Sequence, residues 1–132
     1  MSDENAEIVR GMYEAFNRGE IDRSREMLHP GAELHQSPEQ ADTDSYRGRD
    51  EFVRGLALWL SAWEKPQFEP LDVRESGDGV VMRVRVSGKG RASGIETASE
   101  FFHAWTLFDG KPYRCFVRST EAEALKAARL DD

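Results

Sequence analysis

The spacing of apolar residues along the chain changes from helical to strand-like about halfway. Near the start, Ile8, Val9, Met12, Tyr13 and Phe16 recur at the steps of one helix face, while Glu7, Arg10, Glu14 and Arg18 are polar. Asp3 and Glu4 place negative charge in the first turn, where the helix dipole favours it, and Gly19 is a natural stop. A short second helix is expected over residues 22–28, ended by His29-Pro30-Gly31. Residues 32–37 read as a brief strand, and 38–46, rich in Pro, Asp, Ser and Thr, as a loop. Over residues 50–64 the helical spacing returns, with Phe52, Val53, Leu56, Trp59, Leu60 and Trp63 as the apolar stripe and Pro66 as the terminator.

From Phe68 the period becomes two. Residues 68–75 and 80–88 are expected to be strands joined by the turn Ser76-Gly77-Asp78-Gly79. Val80, Met82, Val84 and Val86 alternate with Val81, Arg83, Arg85 and Ser87. Residues 95–108 and 111–118 form a further hairpin around Asp109-Gly110, and Thr120-Glu-Ala-Glu123 is a capping box opening a last helix through Ala128. Helices first and an antiparallel sheet afterwards describe an α+β domain, its helices packed on one face of a curved sheet. No internal repeat or interdomain linker interrupts residues 1–132, which read as one domain.

Composition narrows the function. The 132 residues carry 18 Lys+Arg against 25 Asp+Glu, a net charge of −7, which argues against nucleic acid as partner. The single cysteine, Cys115, excludes an internal disulfide framework and a multi-cysteine zinc site. The polar, acidic start is unlike a secretory or mitochondrial address, and no apolar run approaches the ~18 residues of a membrane span. A reduced cytoplasmic location is the expectation.

Several segments together carry a family resemblance: Tyr13-Glu-Ala-Phe-Asn-Arg-Gly-Glu-Ile-Asp22, Leu28-His-Pro-Gly-Ala32, Tyr46-Arg-Gly-Arg-Asp50, Ala104-Trp-Thr-Leu-Phe-Asp-Gly-Lys111 and Glu121-Ala-Glu-Ala-Leu-Lys-Ala-Ala128. In this order the chain resembles the SnoaL-like branch of the nuclear transport factor 2-like superfamily. The resemblance implies a conical half-barrel: three helices from the N-terminal half folded over a curved antiparallel sheet, plus a short C-terminal helix. It also implies an apolar pocket and a homodimer through the outer sheet face. Relatives include isomerases, cyclases, hydrolases and binding modules, so the fold leaves the chemistry open.

The residue roles of those relatives do not transfer directly. A ketosteroid isomerase places a Tyr on the first helix, an Asp base on the first strand and a protonated Asp opposite. With Asn17-x-Gly19 fixing the register, these roles fall on Met12 (Tyr13 is one residue off), on Gln36 or Ser37, and near Ala104. The acid of SnoaL-type cyclases falls near Val117. An epoxide-hydrolase relay would find its Arg in Arg83 or Arg85 but no pair of inward Asp residues.

The residues themselves offer other candidates. His103 shares a strand face with Phe101, Trp105 and Leu107, and an imidazole there could serve as general acid or base, with Glu33 or Glu100 as orienter. The plainer alternative is a hydrogen-bonded histidine of a packed sheet. Phe102, Ala104, Thr106 and Phe108 make an equally apolar opposite face, leaving open which side lines a pocket. Tyr13, Phe16, His35, Tyr46, Trp59, Trp63 and Trp105 are the expected ligand-binding residues, or else ordinary core. Glu33, His35 and His103 resemble a two-His, one-carboxylate metal set only in composition, so neither metal nor cofactor is expected. Arg83, Arg85, Lys89 and Arg91 form a local basic stripe, to be paired with Glu residues or to serve as an anionic-ligand patch. Two functions follow as expectations: a cofactor-independent isomerase, cyclase or hydrolase acting on a hydrophobic small molecule, or a non-catalytic module binding such a ligand or a protein partner.

Overall fold

The computed structural model describes residues 2–36, 45–76 and 79–130, the side chains of residues 2, 3, 59 and 76 excepted. Its elements are α1 (Ser2–Asn17), α2 (Ile21–Met27), β1 (Glu33–His35), β2 (Ser45–Arg47), α3 (Arg49–Leu60), β3 (Trp63–Ser76), β4 (Gly79–Gly90), β5 (Glu96–Phe108), β6 (Lys111–Arg118) and α4 (Glu121–Ala128). Val9, Met12 and Tyr13 of α1 are buried as the spacing requires, and the helix ends where Gly19 takes a φ of 82° that a side chain would resist. Asn17 then clasps β3, donating from Nδ2 to the Phe68 carbonyl at 2.7 Å and accepting the Phe68 N–H at 2.9 Å. This clasp holds the end of α1 against the sheet.

The six strands form one curved sheet in the order β2-β1-β6-β5-β4-β3. Neighbours are antiparallel except β1 and β6, which run parallel with Leu34 opposite Cys115. The α+β, cone-like architecture is that implied by the sequence, with two local differences. Ser45–Arg47 is a strand, β2, paired with β1, where a loop was expected. Helix α3 stops at Leu60, and Trp63 opens β3 instead of closing the helix. Trp63 lies opposite Gly90 in β4, and a Cβ on neighbouring Gly88 would come within 3.0 Å of the Trp63 Cβ. Gly88 makes room for the Trp63 side chain at the sheet edge. Pro66 falls in a register shift between Glu64 and Gln67 beside Lys65, whose φ is 49°, so its missing N–H costs no ladder bond.

The sheet has two unlike faces. On the concave one, Val80, Met82, Val84, Val86, Trp105, Cys115 and Val117 meet α1, α3 and Phe68 in the main core. On the outer one, Ala124 and Ala128 of α4 pack on Val81 and Ala104. The face of β5 that carries His103 and Trp105 is therefore the inner face. Thr120 caps α4, its hydroxyl accepting the Glu123 N–H at 3.2 Å.

Candidate functional site

The helices do not fill the concave side. A cavity of about 460 Å³ remains, lined chiefly by apolar side chains from α1, α3 and the inner sheet face. That volume lies within the range of small-molecule sites. A few polar groups interrupt the lining, among them Tyr13, Gln36, His103 and Trp105 within the core.

Three of these form a chain of buried hydrogen bonds. The Trp105 Nε1 lies 2.9 Å from the Tyr13 hydroxyl, and that hydroxyl lies 2.6 Å from His103 Nδ1. An indole N–H can only donate, so the Tyr13 oxygen accepts from Trp105. The arrangement that also gives the buried Tyr13 O–H a partner has it donate to Nδ1, with His103 as the Nε2–H tautomer. Burial holds the imidazole neutral, its pKa lowered to about 4. Burial also raises the Tyr13 pKa well above its ordinary value, with the Cys115 side chain adding to the rise and the Trp105 bond opposing it. Every proton in the relay thus points one way. Nε2–H has no bonding partner among the described residues, on a side chain that lines the cavity.

Of the expected ligand-binding residues, Tyr13, Phe16, Trp63 and Trp105 line this cavity together with His103. The orienter expected for His103 is different. Tyr13 holds it, because Glu33 lies on the outer side of β1 and Glu100 is occupied by Arg83 at 2.7 Å and Arg85 at 3.4 Å. His35 also lies away from the cavity. It stacks on Phe116 with ring centroids 4.6 Å apart, and its Nε2 donates to Glu33 Oε1 at 2.9 Å. Burial pushes the Glu33 carboxyl up, but the His35 bond and the charges of Arg114 and Arg47 outweigh it and leave it below the usual carboxylate range. Glu33 and His35 therefore do not meet His103, and among the described residues no group of His, Cys, Asp or Glu could hold a metal ion. Tyr46 is core, packed under Gly55 of α3 and absent from the lining. The Trp59 side chain and Ser37 lie outside the described residues.

Met12 and Tyr13 both line the cavity, and Tyr13 supplies its phenol. Ala104 faces α4, and its neighbour His103 faces inward. Gln36 and Val117 do line the cavity where relatives place acids. Among the lining residues not read as such from the chain are Cys115, whose thiol burial pushes up, Arg25 of α2 and Arg91 in the β4–β5 turn. Alternation from Val117 would have found the cysteine.

Residues 9–114 match the family model of the SnoaL-like domain. No curated protein matches the sequence. Among solved structures, an NTF2-like protein of unknown function from Burkholderia pseudomallei K96243 is 22% identical, covers 96% of this chain and 97% of its own, and superposes with a TM-score of 0.76. TerC, co-crystallised with polyporic acid, is 22% identical over 97% of this chain and 98% of its own, with a TM-score of 0.75. A candidate SnoaL-like polyketide cyclase from Jannaschia sp. CCS1 is 20% identical over 99% of this chain and 94% of its own, with a TM-score of 0.76.

Proposed function

Because the chain belongs to the SnoaL-like domain family, we propose that it takes a largely apolar small molecule into the cavity and acts on it as a cofactor-independent isomerase, cyclase or hydrolase. His103 is the hydrogen-bonding and proton-transfer group in this reading. The observation that carries it is the one-way relay from Trp105 through Tyr13 to His103, which ends in an N–H donor at an otherwise apolar wall. Such a donor suits an oxygen that gains negative charge as a neighbouring C–H is lost or attacked, an enolate being the plain case. A neutral imidazole can serve as such a donor in a buried site, where the charged form would lose its hydration. The polyketide cyclase and polyporic acid named for two structural neighbours are in keeping with a carbonyl-bearing ligand.

A second reading has its own observation. No Asp or Glu lines the cavity among the described residues, so a strong base beside the donor is missing and the same pocket would serve a binding module. A thermal-shift screen against apolar ketones and quinones, followed by mass spectrometry of each hit after incubation, separates them. A ligand at 100 times its Kd should stabilise the protein by about 2.7 kcal/mol. Conversion of a hit that is lost in His103→Phe supports the enzyme, binding without conversion supports the module, and the absence of any hit overturns both. In the same proposal two copies pair across the outer sheet face, which sedimentation analysis would test.

A further inference from the structure

The other polar feature of the cavity is a cation. Two arginines line it, Arg25 from α2 and Arg91 from the turn between β4 and β5. Arg25 is already committed, to Asp50 at 3.0 Å and Glu26 at 3.2 Å. Arg91 is not. Its backbone N–H donates to the Ala62 carbonyl at 2.9 Å and its Nε to the Ser61 carbonyl at 3.1 Å. Its two terminal nitrogens make neither hydrogen bond nor ion pair among the described residues. The two other arginines of the basic stripe differ, since Arg83 is paired with Asp72 and Glu100, and Arg85 with Glu69 and Glu100.

Arg91 is exposed, but the turn that carries it is held in place. Gly90 N–H bonds the Ile95 carbonyl at 2.9 Å and Gly94 N–H the Gly90 carbonyl at 2.9 Å, closing the turn, while the two bonds to residues 61 and 62 fasten it to the end of α3. A single neutral carbonyl, that of Ser61, satisfies the guanidinium Nε and leaves its charge uncompensated, with the terminal N–H donors free to face a planar anion. Ser61, exposed at the end of α3, shares the lining there, so this end of the cavity opens to solvent.

We propose that Arg91 anchors an anionic group of the ligand, so that the protein selects apolar acids whose carbonyl oxygen lies at the end remote from the carboxylate. This rests on the reading that the cavity takes a ligand with an oxygen at His103. Glu96 pairs with Lys89 beside the turn, and His103 lies seven residues farther along β5, roughly 23 Å of strand contour. A ligand that reaches both Arg91 and His103 is therefore elongated, with an apolar body between two oxygen-bearing ends. The protein's net charge of −7 works against anions in general, which makes a preference for an acid a local signature of Arg91.

The test uses a rigid probe of this shape, 4′-acetylbiphenyl-4-carboxylic acid, alongside its methyl ester. Both are titrated calorimetrically into the full chain and its Arg91→Gln, Arg91→Lys and His103→Phe variants, each first checked for an unaltered thermal transition or circular dichroism spectrum. The acid is expected to bind wild type about 5-fold more tightly than the ester, the scale of a partly solvated ion pair. Arg91→Gln should abolish that preference and leave the ester's affinity unchanged, Arg91→Lys should retain part of it, and His103→Phe should weaken acid and ester alike. Equal affinities in wild type, or a preference that survives Arg91→Gln, overturn the role of Arg91 while leaving the cavity reading intact. Failure of both probes to bind wild type counts against the cavity reading and the Arg91 anchor together. Ester binding indifferent to His103→Phe counts against the reading of His103 alone.

Discussion

Replacing Tyr13 by Phe removes one oxygen and disturbs two other residues. The ring is nearly isosteric and its van der Waals contacts with Phe68 and Trp105 survive, so no cavity term enters. What is lost is the acceptor of the Trp105 N–H, on an indole only 2% exposed, and the donor to His103 Nδ1, on a ring 6% exposed. An abandoned buried partner costs about 1–3 kcal/mol, and relaxation toward the cavity keeps both here in the lower half of that range. The sum is roughly 3 kcal/mol, a large share of a typical domain's stability, and corresponds to a fall of about 10 °C in Tm. Urea denaturation of wild type, Tyr13→Phe, Trp105→Phe and the double variant measures it. The cycle should return a coupling of at least about 1 kcal/mol, because removing either partner strands the other. Nitrogen-15 NMR of the imidazole supplies an independent readout: Nε2 protonated and Nδ1 bare in wild type, a mixture of tautomers in Tyr13→Phe. A loss below about 0.5 kcal/mol, or a proton on Nδ1 in the wild-type protein, refutes the one-way relay and with it the donor assigned to His103.

Two further predictions concern the same core. His103 is neutral when buried, with a pKa lowered to about 4, and regains an ordinary value of about 6.5 when unfolded, so below that pH the unfolded chain takes up a proton the native one refuses. Stability should therefore fall by roughly 3 kcal/mol as pH drops from about 6.5 to about 4 and be flat in this respect above it; urea titrations across that range, with His103→Phe lacking the slope, decide the matter. Gly55 of α3 packs face-on to Tyr46, and a Cβ there would lie 2.5 Å from the ring, so Gly55→Ala should lose about 1–3 kcal/mol by chemical denaturation despite alanine's better helix propensity. A stabilised Gly55→Ala would show that the Tyr46 ring can move aside.

The parts of the fold that could be read from the chain are those with long, regular spacing. Helix α1, the β4–β5 pair and the capping box at Thr120 each repeat a pattern over several turns or pleats, and each is found where the pattern puts it. β2 is three residues long, too short to show an alternation. The end of α3 was misplaced because Trp63 continues the helical stripe, and only its pairing partners, the glycines of β4, determine that it belongs to a strand. The faces of β5 could not be told apart for a related reason. Both are apolar, but one meets a cavity and the other meets α4 through Ala104, a distinction set by elements distant in sequence. Of the site, Tyr13, Trp105 and His103 were each visible as candidates, yet their bond is not, since 90 residues separate Tyr13 from His103.

That bond changes what the candidates mean. A histidine in a pocket is open to use as acid, base or donor, and sequence offers no choice among them. Here the choice turns on the buried Tyr13 O–H: Trp105 can only donate to its oxygen, and His103 Nδ1 is the acceptor within reach of its proton, which makes His103 the Nε2–H tautomer. Proton donation from Nε2 to a substrate would have to draw the Tyr13 proton onto Nδ1 behind it, and the raised Tyr13 pKa opposes that transfer. The relay is thus better fitted to hold a negative oxygen by hydrogen bonding than to protonate it fully. It follows that the acids missing at Gln36, Ala104 and Val117 do not leave the pocket without chemistry. In the proposed reading they leave it with the electrophilic half of an enolisation site, and any base must come from water or from residues beyond the described lining.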